Sequence, residues 1–248
     1  MSGHSKWSTI KRKKGAADAK RGQLFTKLAR EITVAARSGL PDPDANVRLR
    51  MAIQKARIDN MPKENIDRAI ERGSADAGAE QYDEVYYEGY GPGGTALMIQ
   101  TLTDNRNRTV GEIRAVLSRA GGTLAENGSV SWIFDQVGLI TISAEGADPD
   151  DIALMAIDAG ANDVQVEDGT VEVFTNAQEL HKVQDGLTAA GITVASSELW
   201  MRPKSTLAPD LDVAVKAIRL LEKLEDLDDV QQVYSNVDVS DEVLAAVS

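Results

Sequence analysis

The hydrophobic positions of this chain change period twice. From Ala16 to Arg37 they recur at helical spacing, with Leu24, Leu28 and Ile32 four apart and Phe25 and Ala35 on the same face. Ser38-Gly-Leu-Pro41 stops that helix, and Asp42-Pro43 reads as an N-cap with proline at the first helical position. A second helix to about Ile58 then turns Val47, Met51 and Ala52 or Ile53 inward. A third starts after Asn60-Met61-Pro62, carries Ile66, Ala69 and Ile70, and ends at Gly73. Ser74–Gln81 is small and polar and reads as a linker.

Beyond it the pattern turns to β. Val85–Tyr90 and Thr95–Thr103 suit two strands, joined by Gly89-Tyr-Gly-Pro-Gly-Gly94. That loop fits G-x-G-x-x-G, but a strand rather than a helix follows it, so a hairpin connection is expected instead of a pyrophosphate cradle. Thr109-Val-Gly-Glu112 reads as a capping box for a helix with Val110, Ile113, Val116 and Leu117 on one face, ended by Gly121-Gly122. Trp132–Phe134 and Leu139–Ile142 are strand-like, parted by a turn at Val137-Gly138.

Asp148-Pro149 opens a helix closed by Gly160. Val164/Val166 and Val171/Val173 flank Asp168-Gly169 as a hairpin. Thr175–Gln178 caps a helix carrying Leu180, Val183 and Leu187, and Ile192–Val194 begins a last strand. The order from Leu139 to Trp200 is β-α-β-β-α-β, the ferredoxin-like arrangement. After Pro203, an amphipathic helix over Asp212–Leu224 and a strand over Val230–Tyr234 supply what the earlier sheet lacks. The expected fold class is α+β in three domains. An N-terminal helical domain with a basic arm spans 1–75. A discontinuous ferredoxin-like domain takes 76–136 and 203–248, and a second ferredoxin-like domain, 137–202, is inserted within it.

Charge sharpens this picture. Residues 1–72 hold 17 Lys and Arg against 8 Asp and Glu, a net of +9, whereas the whole chain is at −12. Between Ser2 and Arg30 stand nine basic residues and one acid, Asp18. A cationic segment on an acidic chain implies a polyanionic partner, and nucleic acid is the commonest one. Lys6, Lys11, Arg12, Lys13, Lys14, Lys20 and Arg21 are the candidate phosphate contacts. Trp7, alone among charges, either stacks on a base or tucks against its own domain. Arg106 and Arg108, in a polar loop before a helix N-terminus, are further candidates, unless Asp104 and Asn105 simply cap the turn.

Other chemistry finds little support. The chain has no cysteine and two isolated histidines, His4 and His181, so no metal site is expected. No nucleophile elbow, Walker A or H-E-x-x-H pattern occurs. The acidic clusters at Asp148–Asp151 and Glu225–Asp229 read as capping and solvated turns. The expectation is a protein without enzyme activity, cofactor or small-molecule substrate. With no apolar run of membrane length and no secretory signal, a cytoplasmic location is expected, although a basic N-terminus also suits an organelle transit peptide.

Met1–Gly15 (MSGHSKWSTIKRKKG) resembles the opening signature of the YebC family, which includes the mitochondrial translational activator of cytochrome oxidase. Tyr87–Gly94, Leu102–Thr109, and Gly121-Gly122 with Gly128–Phe134 resemble its later signatures, so the resemblance covers the whole chain. It implies three domains and no catalysis. It also implies two competing roles, a DNA-binding transcriptional regulator, or a ribosome-associated factor that assists synthesis of difficult sequences such as proline runs. An extended basic arm with one aromatic suits RNA crevices. A recognition helix with Lys63, Asn65, Arg68 and Arg72 outward would suit DNA. The ribosome and its RNA are the favoured partner, DNA the alternative, and a protein-only adaptor the third reading.

Overall fold

The computed structural model describes residues 18–74, 81–167 and 169–247. Three helices come first: α1 (Asp18–Arg37), α2 (Val47–Ile58) and α3 (Lys63–Ser74). Leu28, Ile32 and Ala35 of α1 are buried as their spacing predicts, while Leu24 and Phe25 are half-buried. α2 starts later than expected. Asp42 organises a preceding turn, and Asn46 is the cap, its side-chain oxygen accepting from Leu49 N at 3.0 Å. The Asn46 amide also donates to Ala35 O and Leu40 O, both at 2.8 Å, which fastens the α1–α2 turn. The buried stripe of α2 is therefore Leu49, Ala52, Ile53 and Ala56, and Val47 is exposed.

Gly73 does not terminate α3. It lies inside the helix, where a Cβ would sit 2.5 Å from Thr33 O and 2.7 Å from Ala36 Cβ on α1. Glycine is needed there for close approach of two helices, not for a left-handed turn.

The first sheet has the order β3-β1-β2-β8, with β1 (Asp83–Tyr90), β2 (Ala96–Thr103), β3 (Thr123–Ala125) and β8 (Val230–Ser235). β1 and β2 form an antiparallel hairpin around the glycine loop, with Gly93 and Gly94 at positive φ. α4 (Arg106–Arg119), α7 (Leu211–Glu225) and the short α8 (Asp241–Val247) pack on one face. Leu97, Ile99 and Val233 of the sheet meet Ile113, Leu117, Ile218 and Leu221 there. The late helix and strand do complete the early sheet: β8 pairs antiparallel with β2. Here the hairpin strands are both central, so the connections differ from those of the second sheet.

That second sheet has the order β5-β6-β4-β7, from β4 (Phe134–Ser143), β5 (Asp163–Glu167), β6 (Thr170–Asn176) and β7 (Val194–Pro203). With α5 (Pro149–Asp158) and α6 (Leu180–Ala189) it has the ferredoxin-like connectivity. Asp148 caps α5 by accepting from Asp150 N. Two local readings are corrected here. Val137-Gly138 is not a turn but the middle of β4, where Gly138 pairs with Thr175. A Cβ on Gly138 would meet Thr175 Oγ1 at 2.3 Å and Leu180 at under 3 Å, so the bare backbone lets the start of α6 approach. Thr175 is accordingly a buried strand residue, and α6 begins at Leu180 without a side-chain cap.

The chain divides into two compact units. Among the described residues, one gathers those up to Leu49, those from Lys63 to Phe134, and those from Pro203 onward; the other joins Arg50–Pro62 to those from Asp135 to Arg202. The second unit has its own core of Ile140, Ile142, Ile152, Val171, Val173, Val183 and Leu187, with Met51 of α2 packed at its margin.

Candidate nucleic-acid interface

Lys6, Trp7, Lys11, Arg12, Lys13 and Lys14 lie outside the described residues, and Lys20 is placed on α1 by its backbone alone. Arg21 is exposed near the start of α1. Further along the same helix the positive charges turn to a different task. Lys27 Nζ donates to Glu225 O at the C-terminal end of α7, where helix carbonyls lack intrahelical partners. Arg30 donates to Asp228 O at 2.7 Å and to Asp229 Oδ1 at 2.9 Å, with its guanidinium 5.3 Å from the centre of the Tyr82 ring. The distal part of the basic stretch thus ties α1 to the first sheet's domain.

Arg106 and Arg108 are likewise engaged. Arg106 Nε is 2.8 Å from Asp83 Oδ2, an exposed pair worth little to stability. Arg108 reaches Asp104 at 2.6 Å and Asp229 at 2.7 Å. Asn105 is the cap of α4, accepting from Arg108 N at 3.1 Å. The capping box expected at Thr109 does not form, because α4 starts one turn earlier. Thr109 Oγ1 instead contacts Thr103 Oγ1 and Asp229 Oδ2, both at 2.7 Å. An incoming phosphate would compete with two carboxylates for Arg108.

Asp229 is the centre of this cluster, and its sequence setting concealed it. In the sequence it stands with Glu225, Asp226 and Asp228 in a run that reads as a solvated turn, yet it is 2% exposed. Burial pushes its carboxyl up, but the hydrogen bonds of Arg108 and Thr109 and the charges of Arg108 and Arg30 outweigh that and hold its pKa below the ordinary value. The hydrogen bonds to Asp229 and Asp104 in turn raise the Arg108 pKa above its ordinary value.

A second buried carboxylate builds a loop. Glu88 on β1 accepts from Gly128 N at 2.8 Å, Val130 N at 2.6 Å and Ser131 N at 3.0 Å. Burial raises its pKa, and these three backbone donors more than reverse the effect. The loop so held leads into a short helical turn, Ser131–Ile133, rather than the strand expected at Trp132. On the neighbouring strand positions, Glu84 accepts from Arg48 and Gln100 at 2.8 Å, and burial together with Glu84's charge pushes the Tyr86 hydroxyl up to about 12.

On α3, Ile66 and Ala69 face inward, Arg68 and Arg72 are exposed, and Lys63 pairs with Asp67 at 2.9 Å. Among the described residues, no three His, Cys, Asp or Glu side chains group to hold a metal ion. No helix among them is long and apolar enough to cross a membrane.

Two family models match the chain. Residues 5–76 match the TACO1/YebC protein N-terminal domain, and residues 82–237 match the TACO1/YebC second and third domain. A probable transcriptional regulatory protein of Chloroflexus aurantiacus is 56% identical over 248 residues, covering 99% of this chain and 98% of that one. One of the same description from Dehalococcoides mccartyi is 52% identical over 244 residues, covering 98% and 97%. The crystal structure of a conserved hypothetical protein from Aquifex aeolicus is 44% identical, with a TM-score of 0.86 over 92% of this chain and 94% of that one.

Proposed function

This chain belongs to the TACO1/YebC family, and we propose that it is a nucleic-acid-binding regulator of gene expression that works on the ribosome, in the cytoplasm, and assists translation of difficult sequences such as proline runs. The names of its relatives support the regulatory class, and they describe regulators rather than enzymes. The observation that carries the ribosomal reading is the charge of the N-terminal segment, nine basic residues against one acid up to Arg30, on a chain whose net charge is −12. The basic side chains at the far end of that stretch, Lys27 and Arg30, are held by Glu225, Asp228 and Asp229. The residues before them, Lys6 to Arg21 with Trp7 among them, are the ones proposed to meet RNA. A strongly acidic body is repelled by bare duplex, whereas a short basic segment with one aromatic suits a crevice of structured RNA.

A second reading, a DNA-binding transcriptional regulator, has its own support in the relatives' names and in exposed Arg68 and Arg72 on α3. Gradient sedimentation of a lysate separates the two. Co-migration with ribosomes that survives DNase and is lost on subunit-dissociating RNase treatment is expected. Migration with DNA, released by DNase, would give the role to transcription.

A further inference from the structure

Trp132 is more open than any other large apolar side chain among the described residues, with 68% of its surface exposed. Much of its surroundings serves to hold it there. The buried carboxylate of Glu88 fixes the backbone N–H groups of Gly128, Val130 and Ser131. The Tyr90 hydroxyl donates to Ser129 O at 3.1 Å. The indole N–H of Trp132 donates to that same carbonyl at 3.0 Å, so the ring's one polar demand is met within the loop. Lys204 Nζ donates to Trp132 O at 3.1 Å and places an ammonium at the foot of the loop.

An aromatic ring fixed in this way loses little side-chain freedom on binding, which is what preorganisation contributes to affinity. Its partner must offer a flat apolar face and tolerate polar hydrogen-bonding neighbours, one of them an ammonium. A protein hot spot normally places its tryptophan within an apolar patch. The residues that hydrogen-bond to Trp132, Ser129 and Lys204, are polar. An unpaired nucleobase matches better: its π-face stacks on the indole, and its phosphate lies within reach of a positive charge. We infer that Trp132 is a stacking platform for an unpaired base of single-stranded RNA, a contact separate from the basic arm. This rests on the RNA-binding reading above.

The test uses the full chain and a labelled single-stranded RNA of about 12 nucleotides, with its blunt duplex as control, followed by anisotropy at two salt concentrations. Trp132→Ala is expected to weaken single-strand binding roughly 5- to 150-fold, leave the salt slope unchanged and spare the duplex. Trp132→Phe keeps part of the affinity, and single-strand RNA quenches indole emission less in Trp132→Phe than in the unaltered chain. Because the ring is exposed, melting curves of the variants should overlay. Equal single-strand affinity of Trp132→Ala and the unaltered chain overturns the platform while leaving the RNA reading intact. Absence of RNA binding by the unaltered chain removes both. RNA affinity retained by Trp132→Ala together with loss of ribosome co-sedimentation also overturns it, in favour of a protein contact.

Discussion

Arg30 on α1 and Asp229 ahead of β8, 199 positions apart, hold an ion pair of 2.9 Å in which the carboxylate is almost wholly buried. Arg108, Thr103 and Thr109 complete the shell around that carboxylate. Removing the charge leaves two guanidinium groups facing a neutral group, and breaking such a buried pair costs about 3–5 kcal/mol, less here because Arg108 keeps contact with water. Asp229→Asn should therefore lower the urea midpoint clearly at neutral pH. The pKa of Asp229 is depressed in the folded state, so its stabilisation is present above the unfolded value of about 3.9 and is lost as pH falls through the lower folded value. Unfolding followed from pH 7 down to pH 3 should show a shallower acid loss for Asp229→Asn than for the unaltered chain.

Glu88→Gln retains shape but loses the charge that three backbone donors point at. Hydrogen exchange should accelerate at the amides of residues 128–131, with little change in the helices α1 and α3. In the unaltered chain the same loop should loosen as pH falls through the depressed pKa of Glu88. Unchanged protection at those amides in the variant would show that the carboxylate does not hold the loop.

Gly73→Ala forces a methyl group to within 2.5 Å of Thr33 O. Overpacking of this kind costs about 1–3 kcal/mol, outweighing the gain that alanine normally brings to a helix. Thermal melts should show a lower Tm, whereas Gly111→Ala on α4, with open space around it, should not.

The four-residue replacement of Lys11, Arg12, Lys13 and Lys14 by alanine should weaken RNA or ribosome binding without lowering Tm. Each lost phosphate contact should make the log–log salt slope shallower by roughly 0.7–0.9. Trp7→Ala should instead cost about 1–3 kcal/mol of affinity at an unchanged slope. Affinities of both variants equal to that of the unaltered chain, at two salt concentrations, would move the site away from the arm.

Residues 135–202 should fold when expressed alone, since they hold a four-stranded sheet, two helices and a separate core. Trp200, 2% exposed in the whole protein, is the sole tryptophan of that fragment and reports its packing by emission wavelength. A red-shifted, non-cooperative melt would contradict the proposed inserted domain.

The elements whose stripes are dictated by nearby residues were legible in the sequence. α1, α5, the β5–β6 hairpin and the completion of the first sheet by α7 and β8 follow from spacing and turn chemistry. What escaped was set by partners distant in the chain. Gly73 and Gly138 look like terminators, but each is small because another element presses on it. Thr109 and Thr175 look like caps, but both are buried hydroxyl groups at other positions in their elements. Asp229 sits in an acidic run that reads as solvated, and its partners lie 121 and 199 positions away. The candidate arginines, 106 and 108, were visible as charges, while the carboxylates that neutralise them were not.

The pairing of β2 with β8 also sets a timetable. When Thr103 leaves the ribosome making this chain, the strand that will cover its sheet's edge has not been synthesised, and β8 ends only at Ser235. At ordinary elongation rates that interval is roughly 7–26 seconds. Throughout it β2 presents an apolar, unpaired edge, and Asp229, which locks α1 to the sheet, is also still to come. The second sheet, β4 to β7, is complete earlier, by Pro203. A message cut short between these two points would yield a chain with a finished middle and an unfinished flank, open to edge-to-edge association with its own copies.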